Sequence, residues 1–149
     1  MTSPQSRSDA GLATSLRISV SRLARRLRAE RVAAGLQPEL SDTQLAALAA
    51  LEKHTSMTPS ELAEHEKVQP PSITRVIASL EQRGLIQRMP HPTDRRQVVL
   101  NVTDEGREVV KKLRKFREAW LAQRLRELTP AERAVLREAL PILEKLSQS

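Results

Sequence analysis

The stretch TPSELAEHEKVQPPSITRVIASLEQRG, residues 58–84, decides the fold. Thr58-Pro59-Ser60-Glu61 is a full helix-start signal: a capping hydroxyl, proline at the first helical position and a carboxylate three residues after the cap. A short helix is expected from there to about Glu66. Lys67-Val68-Gln69 then reads as a connector, and Pro70-Pro71 can open a second helix but hardly sit inside one. Along that second helix Ile73, Val76, Ile77 and Leu80 recur at the three- and four-residue steps of one buried face. Gly84 stands where a helix ends in left-handed backbone.

After Gly84 the period changes. Residues 85–103 read LIQRMPHPTDRRQVVLNVT. Leu85 to Met89 is a short mixed run, and Val98, Leu100 and Val102 alternate with Val99 and Asn101 at strand spacing. Between them Pro90-His91-Pro92-Thr93-Asp94-Arg95-Arg96 is too long for a two-residue turn, so the pair forms a hairpin with an extended, basic tip. Two short helices tightly joined and followed at once by such a hairpin make a winged helix-turn-helix pattern.

That pattern sorts the side chains. With the apolar face turned inward, Pro71, Ser72, Thr74, Arg75 and Ser79 are expected to face outward. Gln69 lies just ahead of the helix, and Arg88 on the first strand joins the set. Short polar groups around one arginine let a helix enter a major groove about 12 Å wide while still reaching base edges or phosphates. Taken alone, the same residues read equally well as an ordinary first turn with a solvated charge. The tip adds weight to the DNA reading. Arg95 and Arg96 on a projecting loop can reach a minor groove, whose concentrated negative potential attracts guanidinium groups. Asp94 fits there as the residue that orients an arginine through a charge-assisted hydrogen bond.

Working outward, the expected fold is mainly α with a small β-hairpin: about six helices and a two-stranded wing. Upstream, Ser41 and Gln44 form a capping pair for an alanine- and leucine-rich helix running to His54, where so much alanine implies close packing. Before it Leu16, Val20, Leu23 and Leu27, with arginines between them, mark an amphipathic helix from Leu12 to about Ala34, ended by Gly35. Downstream, Thr103 caps a long helix with Asp104 and Glu105 in its first turn, and Val109, Leu113, Phe116 and Trp120 line one side of it. Thr129-Pro130-Ala131-Glu132 repeats the start signal for a last helix, in which Pro141 is expected to kink or divide the pattern. Residues 1–11 read as a disordered arm before a single domain over 12–149, its winged lobe at 41–106.

The chain resembles the MarR family of bacterial regulators at several of these places. The matching residues are Leu62-Ala63-Glu64, then Pro71-Ser72-Ile73-Thr74-Arg75 through Leu80-Glu81, and Gly84-Leu85-Ile86. The family's wing signature is met by Asp94, Arg96, Val102-Thr103 and Gly106, with Val102 in place of the family's leucine. Glu66-Lys67 departs further, occupying a turn where the family commonly has an apolar residue and a glycine. The resemblance spans about residues 12–146 and implies a homodimer whose first and last two helices, 12–36 and 107–147, interlock. Leu16, Val20, Leu23, Leu125, Leu136, Leu140 and Leu143 are the interface candidates. Independently, the outer helices carry leucine rows that one short chain would struggle to cover, although packing within the chain is the alternative. Two-fold symmetry then implies a pseudo-palindromic site in double-stranded DNA. The resemblance further implies release by a small phenolic or anionic ligand, for which Arg17, Arg22, Phe116 and Trp120 are the thin set of candidates.

Composition supports this reading without deciding it. The 149 residues carry 25 Lys and Arg against 18 Asp and Glu, a net charge of +7 that favours polyanions. The excess is uneven, falling within residues 1–34 and 86–117, while 35–69 are acidic. Cysteine is absent, which excludes disulfides and thiolate metal sites. No apolar run is long enough to span a bilayer and the start lacks a secretion signal's apolar core, so a cytoplasmic protein is expected. His54, His65 and His91 lack zinc-site spacing, and no phosphate loop, nucleophile elbow or paired carboxylates point to an enzyme or a cofactor. The competing readings are a non-specific architectural DNA binder, a winged helix used for protein contacts and, more remotely, a metal-sensing regulator.

Overall fold

The structure is a computed structural model that describes residues 8–149. Its elements are α1 (Asp9–Ala33), α2 (Asp42–His54), β1 (Ser56–Met57), α3 (Pro59–Glu66), α4 (Pro70–Gln82), β2 (Ile86–Pro90), β3 (Val98–Val102), α5 (Asp104–Arg126) and α6 (Pro130–Ser147). The class is the expected one, mainly helical with a small antiparallel wing. β2 and β3 are the expected two-stranded wing, and an unforeseen third strand joins them, giving the sheet the order β1-β3-β2. β2 and β3 pair from Ile86 opposite Val102 to Pro90 opposite Val98. On the other edge of β3, Ser56 and Met57 pair with Asn101 and Leu100, which drops Met57 into the core.

The chain divides into two compact units after Leu113, with α5 running through the boundary. The first unit contains the whole 41–106 lobe. Its core is built from α2, α3, α4, the sheet and the start of α5, and its most completely buried large side chains are Leu48, Leu51, Leu62, Ile77, Leu80 and Leu100. Ala47 and Ala50 are buried along α2, where methyl groups let neighbouring backbone come close.

Local signals set the boundaries. Ser41 and Gln44 close a reciprocal capping box, each side chain accepting the other's backbone N–H, at 3.2 and 2.8 Å. Thr58 accepts the Glu61 N–H at 3.2 Å. α1 begins at Asp9 rather than Leu12, because Ser8 accepts the Gly11 N–H and Asp9 faces the helix dipole. Of the expected N-terminal arm, residues 1–7 lie outside the described residues. At the other end of α1, Gly35 sits at φ +69°. There Arg31, only 2% exposed, donates to the Leu36 and Gln37 carbonyls and stands 3.5 Å from Asp42, tying the α1–α2 loop together.

One knot joins α4, the wing and α5. Thr103 donates its hydroxyl hydrogen to the Gly84 carbonyl at 2.7 Å and accepts the Gly106 N–H at 3.1 Å, while its own N–H reaches the Leu85 carbonyl at 3.0 Å. Gly84, at φ +73°, supplies the left-handed turn that brings its carbonyl there.

The second unit holds the rest of α5 and α6. Pro141 does not divide α6, which runs unbroken from Pro130 to Ser147. Both Pro141 and Arg137, whose carbonyl loses its helical partner, are exposed, so water can take the orphaned bond. Leu136, Leu140, Ile142, Leu143 and Leu146 are exposed on α6, as are Val20 and Leu23 on α1 in the first unit. Leu16 and Leu125 are half-buried. Among the described residues no helix is long and apolar enough to cross a membrane.

Candidate nucleic-acid interface

α4 is strongly one-sided. Ile73, Val76, Ile77 and Leu80 are buried, and Pro71, Ser72, Thr74 and Arg75 are exposed. The start of the helix is unusual in what it withholds. Pro70 and Pro71 have no N–H, and the Ser72 and Ile73 amides both bond to the Gln69 carbonyl, so the first turn keeps no amide free to hold a phosphate. Whatever α4 recognises it must contact through side chains. Gln69 occupies the cap position but makes no side-chain cap bond, which leaves its exposed amide available. Thr74 spends its hydroxyl hydrogen on the Pro70 carbonyl at 2.9 Å, and so turns lone pairs and a methyl group outward.

Two of the expected contacts are engaged elsewhere. Ser79 is half-buried and accepts from the Gln44 amide of α2 at 2.8 Å, on the flank of α4 rather than its outer face. Arg88 on β2 pairs with Glu81 at 2.8 Å. The sequence marked Gln44 only as a cap partner and Glu81 only within the family-like stretch; their contacts with Ser79 and Arg88 left no trace there, since each joins elements far apart in the chain or on different periods.

The wing tip is a built turn. Asp94 accepts the Arg96 N–H at 3.0 Å through Oδ1, and its carbonyl accepts the Gln97 N–H at 3.1 Å. The expectation that Asp94 orients an arginine therefore takes a specific form: it fixes the backbone of Arg96, with Nε of that side chain 3.5 Å from the same oxygen. The Arg96 side chain is itself 93% exposed, and Arg95 is exposed beside it. Arg96, Gln97 and Val98 line a shallow cleft with Thr58, Pro59 and Ser60, which places the tip beside the start of α3. Helix face and arginine loop thus belong to one compact unit.

The remaining candidates are spread out. Arg17 and Arg22 line an open cleft along α1 with Ile18, Ser21, Ala24, Arg25 and Arg28. Phe116 and Trp120 are half-buried on α5 beyond the unit boundary, with the Arg124 guanidinium 5.5 Å from the Trp120 ring. The His54 and His65 rings meet edge to face at 4.9 Å, and His65 Nδ1 lies 3.2 Å from Glu66. Among the described residues no group of three His, Asp or Glu side chains is placed to hold a metal ion.

A model of the MarR family matches residues 40–98. An HTH-type transcriptional regulator of Mycobacterium tuberculosis is 46% identical over 136 residues, 91% of this chain and 92% of the relative. The HTH-type transcriptional repressor MdtR of Bacillus subtilis is 33% identical over 138 residues, 93% of this chain and 87% of the relative. Among solved structures, the crystal structure of RV1404 from Mycobacterium tuberculosis is similar with a TM-score of 0.84 at 28% identity, over 96% of this chain and 97% of that one.

Proposed function

The chain belongs to the MarR family of winged helix-turn-helix transcription regulators, and from that premise we propose that it binds double-stranded DNA as a homodimer at a pseudo-palindromic operator and represses transcription there. The observation that carries this reading is the pairing, within one compact unit, of the exposed Ser72, Thr74 and Arg75 of α4 with the exposed Arg95 and Arg96 of the wing tip. α4 enters the major groove and reads base edges with Gln69, Pro71, Ser72, Thr74 and Arg75. The tip arginines reach the flanking minor groove, held there by Asp94. Ser79 and Arg88 support that surface from its flank through Gln44 and Glu81.

The exposed apolar rows of α1 and α6, including Val20, Leu23, Leu136, Leu140 and Leu143, suit a second copy of the chain, and the half-buried Leu16 and Leu125 extend them. The arginines lining the α1 cleft have the chemistry to receive an anionic ligand, which is the form we give to effector release. The protein works beside the bacterial chromosome in the cytoplasm and is assigned no reaction.

Fragments of genomic DNA selected by the full chain supply the operator, and titration of that duplex against a scrambled one across a range of salt supplies the test. A regulator keeps a large preference for its site, on the order of a thousandfold or more. Equal affinities that fall together with salt would instead establish a non-specific binder whose energy is counterion release.

A further inference from the structure

The wing tip is closed by a histidine. His91 Nδ1 lies 3.2 Å from the Thr93 nitrogen and 3.0 Å from the Asp94 nitrogen. Both partners are backbone N–H donors, so Nδ1 must be the acceptor, and the ring carries its proton on Nε2. The turn is braced further by the His91 N–H, which donates to the Gln97 carbonyl at 3.3 Å. His91 thus performs with an imidazole what asparagine or aspartate does in an Asx turn, accepting amides two and three residues downstream. The Asp94 it holds in turn fixes the Arg96 N–H. A chain of contacts runs from His91 through Asp94 to the arginines that the previous section assigns to DNA.

We propose that His91 is a positioning residue for the wing: neutral, it holds the tip in the form that presents Arg95 and Arg96, and protonation at Nδ1 releases the tip and weakens DNA binding. The inference rests on the DNA-binding reading given above. A proton on Nδ1 replaces the shared lone pair with a third donor facing two others, so both amide bonds are lost together; Thr93 Oγ1, 3.4 Å from Nδ1, can accept the new proton but leaves both amides without their acceptor. The charged groups of the tip are Asp94, Arg95 and Arg96. On adjoining β2 Arg88 is taken up by Glu81, and the start of α3 brings Thr58, Pro59 and Ser60 to the cleft beside the tip, none of them charged. The sign of the effect is diagnostic. A histidine acting merely as a surface charge near DNA would gain a phosphate contact on protonation, and acid would strengthen binding. Positioning predicts the opposite.

The test compares the full chain with His91→Asn, which keeps an acceptor for the same amides but does not titrate, and with His91→Ala, which keeps neither property. Affinity for the selected operator is measured at fixed ionic strength from about pH 8 to about pH 5.5, across the range in which imidazoles ionise. The unsubstituted protein is expected to weaken about tenfold more than His91→Asn over that interval, the equivalent of one to two backbone hydrogen bonds. His91→Asn should match it at the upper pH, and His91→Ala should already be about tenfold weaker there. Because all three proteins retain His54 and His65, the difference between profiles isolates His91. Parallel profiles, or acid strengthening that His91→Asn abolishes, would overturn the proposal. Ring 15N shifts and amide exchange at Thr93 and Asp94 without DNA separate the two levels of inference. If no protein prefers any duplex, the operator reading fails. The positioning role then stands on an unprotonated Nδ1 and on amide protection lost in acid from the unsubstituted protein but not from His91→Asn, and falls without them.

Discussion

Gly106 lacks a side chain because nothing would fit there. A Cβ at this position would lie 2.2 Å from the Leu85 carbonyl oxygen and 2.6 Å from Val102 Cγ1, both parts of the tightly tied junction around Thr103. Gly106→Ala must therefore push α5 off the wing, and we expect a loss of at least about 2 kcal/mol, read from the urea midpoint. A loss near zero would mean that the junction yields. Lys67 shows the converse. It ends α3 in left-handed backbone at φ 57°, where its Cβ crowds the carbonyl; Lys67→Gly should stabilise the fold by about 0.5 kcal/mol after the glycine's extra unfolded-state entropy is counted, visible as a small rise in thermal midpoint. The departure at Lys67 was legible in the sequence, since it stands where the family resemblance implies glycine. His91 was not, appearing only as one of three scattered histidines: its role depends on loop amides that leave no periodic trace. Ser79 misled because a helical wheel separates inside from outside but does not show which flank another helix covers.

Elements were legible where their physics is local. Ser41, Thr58 and Thr129 each announced a helix because a cap, its hydrogen bond and the dipole all lie within four residues. β1 was invisible because two residues cannot alternate; it exists only through the edge of β3. The cap of α6 also has a pH signature. Glu132 is held below the ordinary carboxylate range by the Thr129 backbone N–H and then by its hydroxyl. Because the folded value is depressed, the stabilisation is complete above the ordinary carboxylate range and is lost as pH falls through the lowered folded value. Amide protection in the first turn of α6, measured relative to the intrinsic exchange rate at each pH, should therefore fall in acid. In Glu132→Gln, which retains an acceptor without a charge, that pH dependence should flatten; an unchanged profile would sink this account.

At the scale of the molecule, the +7 net charge explains attraction to DNA but not where it binds. Arg96→Ala should weaken operator binding and reduce the slope of log K against log salt by about two per dimer, one for each subunit, if the guanidinium neutralises a phosphate. An unchanged slope with lower site preference would make it a groove reader instead. Assembly is tested separately: Leu136→Glu with Leu140→Glu places charge on the exposed row of α6, and should yield folded monomers by sedimentation that no longer hold the operator. A persistent dimer would remove α6 from the interface. The lobe was legible because helix and strand periods switch within one short stretch, whereas an interface between copies leaves only an apolar surplus, with no partner written beside it. Trp120, finally, is the chain's one tryptophan, no tyrosine accompanies it, and it lies beyond the division after Leu113. Its ring sits near the Arg124 guanidinium, and its Nε1 is shut off from solvent without a hydrogen-bond partner among the described residues. Intrinsic fluorescence is consequently an optical channel tuned to the second unit. Emission followed alongside a far-ultraviolet helical signal resolves which unit loosens first, with no label attached.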